Sequence, residues 1–234
     1  MLRRHARRAA VGSVFEDRRS VCMPAVNVMI DLETLAMNPG GVFFALAAVP
    51  FDPDMGELGA PFFALVDPAS MTAAGFNLDA PTEAWWTAQS EEARAFLTAA
   101  HREGRSLDET LDRFSAYLSQ LGPAEDLLIW GKGGDFDKPM LDEAYRRRGK
   151  SLPWGPRACR CYRTLEALSP EPVPRRTTTG VAHHALDDVH HQAEQAVKIL
   201  RQLKGQPALS FALPRHPSEA WVDQPSHARR RPAP

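Results

Sequence analysis

Hydrophobic and polar positions follow two different patterns along the chain, and each pattern predicts a different kind of element. Short apolar runs of strand length, bounded by turn residues, predict five strands. The predicted strands cover residues 26–32, 42–50, 61–66, 126–130 and 157–162. Short turns join the first three strands, which predicts that they form an antiparallel meander.

Apolar positions spaced three and four residues apart predict helices from about residue 82 onwards. They cover residues 82–101, as one helix or as a pair, and residues 106–120, 138–148 and 186–203. The second has the clearest start, because Ser106 and Glu109 form a capping box. The order of these elements predicts an α/β fold in which helices flank a mixed five-stranded sheet.

The chain has 234 residues, of which 44% are hydrophobic, and this predicts a single domain with its own core. We place that domain at residues 23–204. Residues 1–22 contain six Arg and predict a disordered basic arm, unless translation starts later, at Met23. Residues 205–234 are rich in Pro and Arg and predict a loosely ordered tail.

The net charge of −1 excludes a protein that binds nucleic acid by bulk positive charge. Both ends of the chain carry an excess of Arg, so the central region is acidic and would need cations to accept a polyanion. Three Cys argue against a secreted disulfide scaffold, and no apolar run approaches the ~20 residues of a membrane span. We expect a cytoplasmic protein without membrane contact.

Two carboxylates end the first predicted strand. Asp31 and Glu33 lie two residues apart, so in a strand they point to the same face. If that strand end is buried, the two charges repel each other and lose hydration, and a divalent cation would relieve both costs. A strand end that has simply reached solvent is the alternative that this pair leaves open.

Further candidate groups follow a later strand and precede the last helix. Asp137 and Asp135 lie in the Gly-rich turn after residues 126–130, where Asp is also a common helix N-cap. The segment HHALDD places His183 five residues before Asp188. Histidine suits proton transfer near neutral pH. Four acids and one His from three segments are what two-metal hydrolysis of a phosphodiester needs.

This set of residues resembles the DEDD 3′–5′ exonucleases, in the branch that carries a histidine in its third motif (DEDDh). The resemblance is closer still to the group of mycobacterial 3′–5′ exoribonucleases and phage exonucleases of the T4 exonuclease A type. It covers roughly residues 26–203. The segments that carry it are MIDLETL at 29–35, WWTAQSEEAR at 85–94, WGKGGDFDKPML at 130–141, RCYRTL at 160–165 and HHALDD at 183–188.

The resemblance implies a ribonuclease-H-like fold and assigns roles to single residues. His183 would be the catalytic base, preferred over His184 because of its distance to Asp188. Asp137 is preferred over Asp135 because the acid of the family follows a residue like Phe136. The implied cofactors are two divalent cations, Mg²⁺ or Mn²⁺. Their implied ligands are Asp31, Glu33, Asp137 and Asp188.

Substrate contacts are predicted for four residues. In the wider family the stretch that corresponds to Thr34 and Leu35 touches the terminal nucleotide, and Phe136 is assigned to the same contact. Many relatives have a second Thr-Gly after this position, whereas here Leu35, Ala36 and Met37 follow Thr34. Trp85 and Trp86 face about 100° apart on a helix. One of the two should therefore pack in the core while the other stacks on a base, and we assign Trp86 to the substrate.

The predicted activity is metal-dependent removal of nucleoside 5′-monophosphates from the 3′ end of single-stranded nucleic acid. The expected partners are the 3′ ends of single-stranded RNA or DNA, with RNA favoured by the resemblance, and the sequence leaves a homodimer open. The alternatives are a single-stranded DNA exonuclease or proofreading subunit, and a scaffold that binds nucleic acid without cutting it.

Overall fold

The computed structural model describes residues 25–173 and 184–205, and a six-stranded mixed sheet lies at its centre. The strands are β1 (Val26–Thr34), β2 (Phe43–Asp52), β3 (Glu57–Leu58), β4 (Phe62–Leu65), β5 (Leu127–Gly131) and β6 (Cys159–Cys161). The helices are α1 (Pro68–Ala73), α2 (Ala80–Thr87), α3 (Glu91–Glu103), α4 (Leu107–Leu121), α5 (Asp137–Arg147), α6 (Tyr162–Ala167) and α7 (Ala185–Gly205).

The sheet is mixed because β1 has a different kind of neighbour on each side. It pairs antiparallel with β2 and parallel with β5, and β5 in turn pairs parallel with β6. Both β3 and β4 pair antiparallel with β2, which confirms the predicted antiparallel start. Since β1 and β5 are parallel, their carboxyl ends lie at the same edge of the sheet, where α/β proteins commonly bind ligands.

The core forms around β1 and β2, whose sequences are apolar almost throughout. Both faces of a central strand are covered, so such a strand reads as a continuous hydrophobic run rather than an alternating one. Val28, Met29 and Ile30 are completely buried on β1. Helix α7 packs on both strands. Its buried residues include Ala193 and Ala196, and such small side chains let the helix approach the sheet closely.

The predicted α/β class and all five predicted strands are confirmed, and the sheet has one strand more than expected. The additional strand β3 has two residues, which pair with Phe51 and Asp52 and are too few to show any periodicity. Helices α1 and α6 were not predicted, because six residues each do not complete two helical turns. The segment 82–101 divides into α2 and α3 at Ser90, whose side chain caps α3.

Parts of the predicted organisation lie outside the described residues. These parts are the basic arm at 1–22 and, apart from Gly205, the tail at 205–234. The predicted domain boundaries therefore remain predictions. Within residues 25–173 and 184–205, no helix is both long enough and apolar enough to cross a lipid bilayer.

Candidate active site

The carboxyl end of β1 supplies the first two carboxylates of the site. Asp31 and Glu33 pair with Ala47 and Ala45 of β2, and the register shifts between Glu33 and Thr34. Such bulges redirect side chains at strand ends and occur next to active sites. Glu33 is buried, with 7% of its surface exposed, so the alternative of a solvated strand end does not hold for this residue.

Asp137 reaches the same place from the neighbouring strand. It is the first residue of α5, follows the turn after β5, and is only 3% exposed. Its Oδ1 accepts a hydrogen bond of 3.2 Å from the backbone N–H of Leu32, which lies between Asp31 and Glu33. Asp135, the other candidate in this turn, is exposed. The geometry therefore favours Asp137 as the group that belongs to the site.

Two glycines give Asp137 its position. A Cβ on Gly131 would lie 2.8 Å from Oδ2 of Asp137, closer than such atoms approach. Gly133 has a φ of +149°, a conformation that side-chain-bearing residues rarely adopt. The Gly-rich turn is thus required both for the path of the chain and for the close approach of the carboxylate to β5.

Asp188 completes the cluster from α7. One ligand oxygen each of Asp31, Glu33 and Asp188 lies within 4.8 Å of the other two. Gln192, one turn further along α7, donates a hydrogen bond of 3.0 Å from Nε2 to Oδ1 of Asp31. The structure therefore groups three of the four predicted acids, from β1 and α7, which lie up to 157 residues apart in the sequence. The fourth, Asp137 of α5, lies next to them through its hydrogen bond to Leu32 and its charge acts on Asp31.

The carboxylates make the site electrostatically unfavourable on its own. The pKa of Asp31 is raised well above its usual value, first by burial and then by the charges of Asp137, Glu33 and Asp188. Burial also raises the pKa of Asp137 to about 7, although the N–H of Leu32 and the positive charge of Arg163 act in the opposite direction. A set of hard oxygen donors with an excess of negative charge fits a divalent cation such as Mg²⁺ or Mn²⁺.

A cavity of about 530 Å³ opens beside Glu33. This volume lies in the range of small-molecule sites. Three of the residues predicted to contact substrate, Thr34, Phe136 and Trp86, line it together with Met37 and Trp85. Leu35 does not line it and is 3% exposed, because its backbone pairs with Val42 and Asp79 and draws the side chain into the core.

Both neighbouring tryptophans line this cavity, but they differ in how far they are exposed. Trp86, which we assigned to the substrate, is 2% exposed and packs edge-on against Phe44, with 4.9 Å between ring centroids. Its Nε1 donates to the backbone oxygen of Thr34 at 2.8 Å and so fixes the chain next to Glu33. Trp85 is 44% exposed and offers the larger surface of the two to a ligand. The assignment of Trp86 to the substrate stays a prediction.

The histidine of the third motif lies outside the part of the chain that the structure describes, since the description resumes at residue 184. His184 itself packs between aromatic rings, with its centroid 5.6 Å from that of Phe63 and 4.3 Å from that of Phe96. These contacts give His184 a packing role. The assignment of His183 as the base stays a prediction.

Sequence reasoning missed the anchoring role of one residue and missed a second residue altogether. Trp86 anchors the backbone beyond Glu33, and Gln192 holds Asp31. A tryptophan with a polar Nε1 in an apolar helix pattern is a weak signal of such an anchor. Gln192 gave a clearer one, because it is a polar residue four positions after Asp188 on the face of α7 that Val189, Ala193 and Ala196 mark as buried.

The comparisons with known proteins bear on both the family and the fold. Residues 26–200 match the model of the family described as the 3′–5′ exoribonuclease Rv2179c-like domain. No curated protein matches the chain. Among solved structures, the chain is similar to the nuclease domain of 3′hExo, a DEDDh family member bound to rAMP. That pair has a TM-score of 0.52 and 16% identity, covering 77% of this chain and 94% of that chain.

Two larger nucleases have similar TM-scores and identities to this chain. Cell-death related nuclease 4 (CRN-4) has a TM-score of 0.53 and 14% identity, covering 76% of this chain and 64% of that chain. Exonuclease I of E. coli in complex with a dT13 oligonucleotide has a TM-score of 0.51 and 15% identity, covering 77% of this chain and 41% of that chain. The chain thus spans less than two thirds of either protein, and at identities this low the structural similarity shows a shared fold alone.

The family match runs from β1 through most of α7 and includes Asp31, Glu33, Asp137 and Asp188. The solved structures that resemble this chain have the ribonuclease-H-like exonuclease fold that the sequence motifs implied. The chain therefore belongs to the Rv2179c-like family of 3′–5′ exoribonuclease domains, which confirms the resemblance to the DEDDh exonucleases.

Proposed function

We propose that this chain is a metal-dependent 3′–5′ exonuclease that releases nucleoside 5′-monophosphates from single-stranded nucleic acid, with RNA as the favoured substrate. The observation that carries the proposal is the convergence of Asp31, Glu33 and Asp188, whose ligand oxygens lie within 4.8 Å of one another. Glu33 is buried and the other two are partly buried, and without a cation the negative charge of each makes ionisation of the others less favourable.

The four carboxylates divide into two ligand sets. Asp31, Glu33 and Asp188 would hold one divalent cation, and Asp31 with Asp137 would hold the second. Bound cations of this kind stabilise negative charge on the attacking and leaving oxygens of a phosphodiester and lower the pKa of water. The N–H of Leu32 keeps the Asp137 carboxylate fixed at 3.2 Å, so this ligand is oriented before any cation binds.

The aromatic cavity would bind the terminal nucleoside next to these carboxylates. Phe136 and Trp85 line it together with Thr34, and Glu33 belongs to both the cavity and the carboxylate cluster. Aromatic faces bind bases largely without regard to sequence. A 3′-terminal nucleoside held there would have the last phosphodiester of the strand, on its 5′ side, near the carboxylates. This placement supports cleavage from the 3′ end.

Replacing Trp85 by alanine should raise KM for a single-stranded oligonucleotide about tenfold, because base stacking contributes roughly 1–3 kcal/mol per base. The melting temperature should fall only slightly, since 44% of Trp85 is already exposed and its described ring contact is with Trp86. Met55→Ala is the matched control, as Met55 is 67% exposed in the turn before β3, at the opposite end of β2. An unchanged KM in the Trp85 variant would exclude its contact with the base.

Replacing His183 by alanine should lower kcat by about two orders of magnitude, which is the usual contribution of a general base. KM should stay close to that of the unmodified protein, because His183 would accept the proton of the attacking water rather than bind the strand. Steady-state kinetics across pH would show this, with His184→Ala as the control for loss of a neighbouring imidazole. A defect confined to KM would remove the assignment of His183 as the base.

Two observations support RNA as the favoured substrate. The matching family is described as an exoribonuclease domain, and 3′hExo has the same fold and is bound to rAMP in its structure. Exonuclease I of E. coli, in turn, is seen with a dT13 oligonucleotide, so the fold is compatible with DNA. Discrimination depends on contacts to the 2′-hydroxyl.

A time course on 5′-labelled single-stranded RNA and DNA of the same sequence tests the proposal. Each substrate is incubated with Mg²⁺, with Mn²⁺ and with EDTA. We expect a ladder of products that shorten one nucleotide at a time, faster on RNA, with nucleoside 5′-monophosphates released and no reaction in EDTA. Binding of the strands without any cleavage in either metal would contradict the proposal and favour the scaffold alternative.

A further inference from the structure

Gln192 is a buried polar residue that makes a direct contact with the carboxylate cluster. It lies on α7 four residues after Asp188 and is only 4% exposed. Its Nε2 donates a hydrogen bond of 3.0 Å to Oδ1 of Asp31. Its Oε1 is buried as well, and within the described parts of the chain it has no hydrogen-bond partner.

A buried amide oxygen without a donor destabilises the folded state, because it has lost its hydrogen bonds to water. The neighbouring positions on this face of α7, Val189, Ala193 and Ala196, are fully buried and apolar. A leucine or methionine at position 192 would fill the same space without that cost. Packing therefore does not account for the glutamine, whereas its contact with Asp31 does.

The neutral charge of the glutamine suits a position beside a cation ligand. A lysine or arginine there would neutralise Asp31 and compete with a cation for its oxygens. A carboxylate would add a negative charge to a cluster that already contains Glu33 and Asp188. An amide donates a hydrogen bond, so it fixes the orientation of the carboxylate and leaves its charge in place.

We propose that Gln192 is a positioning residue for the carboxylate of Asp31, and that its Oε1 serves as an acceptor for water that enters the site with the cations. This inference rests on the proposed metal-dependent function. Groups that orient a ligand in this way commonly change metal affinity or activity by about 10–100-fold when they are removed. Gln192 would therefore determine metal affinity without being a ligand.

Calorimetric titration of the full chain with Mn²⁺ tests the inference independently of activity. Gln192→Leu should bind Mn²⁺ about 10–100-fold more weakly than the unmodified protein. Gln195→Leu is the matched control, because Gln195 is also buried on α7, with 5% exposed, and no described hydrogen bond joins it to Asp31. It should bind Mn²⁺ as the unmodified protein does.

Thermal unfolding in EDTA separates positioning from packing. Gln192→Leu should melt at or above the temperature of the unmodified protein, since it removes a buried acceptor that lacks a donor. Gln192→Glu has nearly the same shape and adds a negative charge, so it should melt lower in EDTA and be stabilised more by Mn²⁺. If the Leu variant does not fold, Gln192→Met provides the same comparison with an unbranched side chain.

The outcomes distinguish this inference from the proposed function. Equal Mn²⁺ affinity in the unmodified protein and in the Leu or Met variant would overturn the role of Gln192 and leave the exonuclease proposal intact. Equal weakening by Gln192→Leu and Gln195→Leu would also overturn it, because the effect would then belong to α7 in general. Absence of Mn²⁺ binding in the unmodified protein would overturn both.

Discussion

Replacing Asp188 by asparagine should abolish release of nucleoside 5′-monophosphates while raising the melting temperature of the metal-free protein. The loss follows because Asp188 is one of the three carboxylates whose oxygens lie within 4.8 Å of one another. Metal ions contribute several kcal/mol to stabilisation of the transition state, and each 1.36 kcal/mol corresponds to a factor of ten. A fall in kcat of about 10³-fold or more is therefore expected.

The metal-free protein should become more stable rather than less, because the negative charge of Asp188 is unfavourable in the absence of a cation. Asp188 is one of the negative neighbours that raise the pKa of Asp31. Asparagine has nearly the same shape without the charge, so the repulsion in the folded state falls. The melting temperature in EDTA measures this effect, and a nucleotide-release assay in Mn²⁺ measures the loss of activity.

Asp187 provides the matched control for this experiment. It precedes Asp188 in the first turn of α7, is partly exposed, and lies 4.0 Å from Nδ1 of His184. Asp187→Asn removes an identical charge from the same turn and should leave kcat close to that of the unmodified protein. Retained activity in Asp188→Asn, or equal loss in both variants, would contradict the assignment of Asp188 as a metal ligand.

The metal-free protein should lose stability as the pH rises from about 4 to about 7, because Asp137 keeps its proton in the folded state. Burial raises its pKa from 3.8 to about 7. The folded state therefore binds more protons than the unfolded state in this window, and the free energy of unfolding falls with increasing pH. A shift of this size corresponds to a change on the order of 4 kcal/mol.

Denaturant unfolding in EDTA at a series of pH values measures this dependence. The contribution of Asp137 is fully present below pH 3.8 and is lost as the pH passes through about 7. Asp31 adds to it in the same direction, since its pKa is also raised. Saturating Mn²⁺ should reverse the trend above neutral pH, because cations bind the ionised carboxylates and stabilise the folded state by mass action.

Asp137→Asn gives the control for the pH series. Its side chain is neutral at every pH, so the curve in EDTA should become flatter, while Asp135→Asn, at an exposed position, should reproduce the curve of the unmodified protein. A stability that rises between pH 4 and 7 in EDTA would refute the protonated state of the buried carboxylates in the metal-free fold.

The candidate site was predictable where local rules applied. The strand run before Asp31 and Glu33, the Gly-rich turn before Asp137 and the helix start at Asp188 could each be read from neighbouring residues. The choice between Asp137 and Asp135 followed from the family resemblance, and the structure gives its physical counterpart, since Asp137 is buried and Asp135 is exposed. Local patterns did not show which of the two tryptophans is buried, because the burial of Trp86 depends on its contacts with the distant residues Thr34 and Phe44.

The sequence by itself determined the α/β class and the five longer strands, since periodicity and turn chemistry act over a few residues. It indicated the four acids through the resemblance of its motifs to the DEDDh exonucleases. Tertiary structure alone decided the sixth strand, the burial of Trp86 and Leu35, and the contact of Gln192 with Asp31, which spans 161 residues. The reason is physical: a hydrogen bond or a packed surface between distant segments leaves no periodic trace in either segment. Such contacts arise only when β1 and α7 pack together.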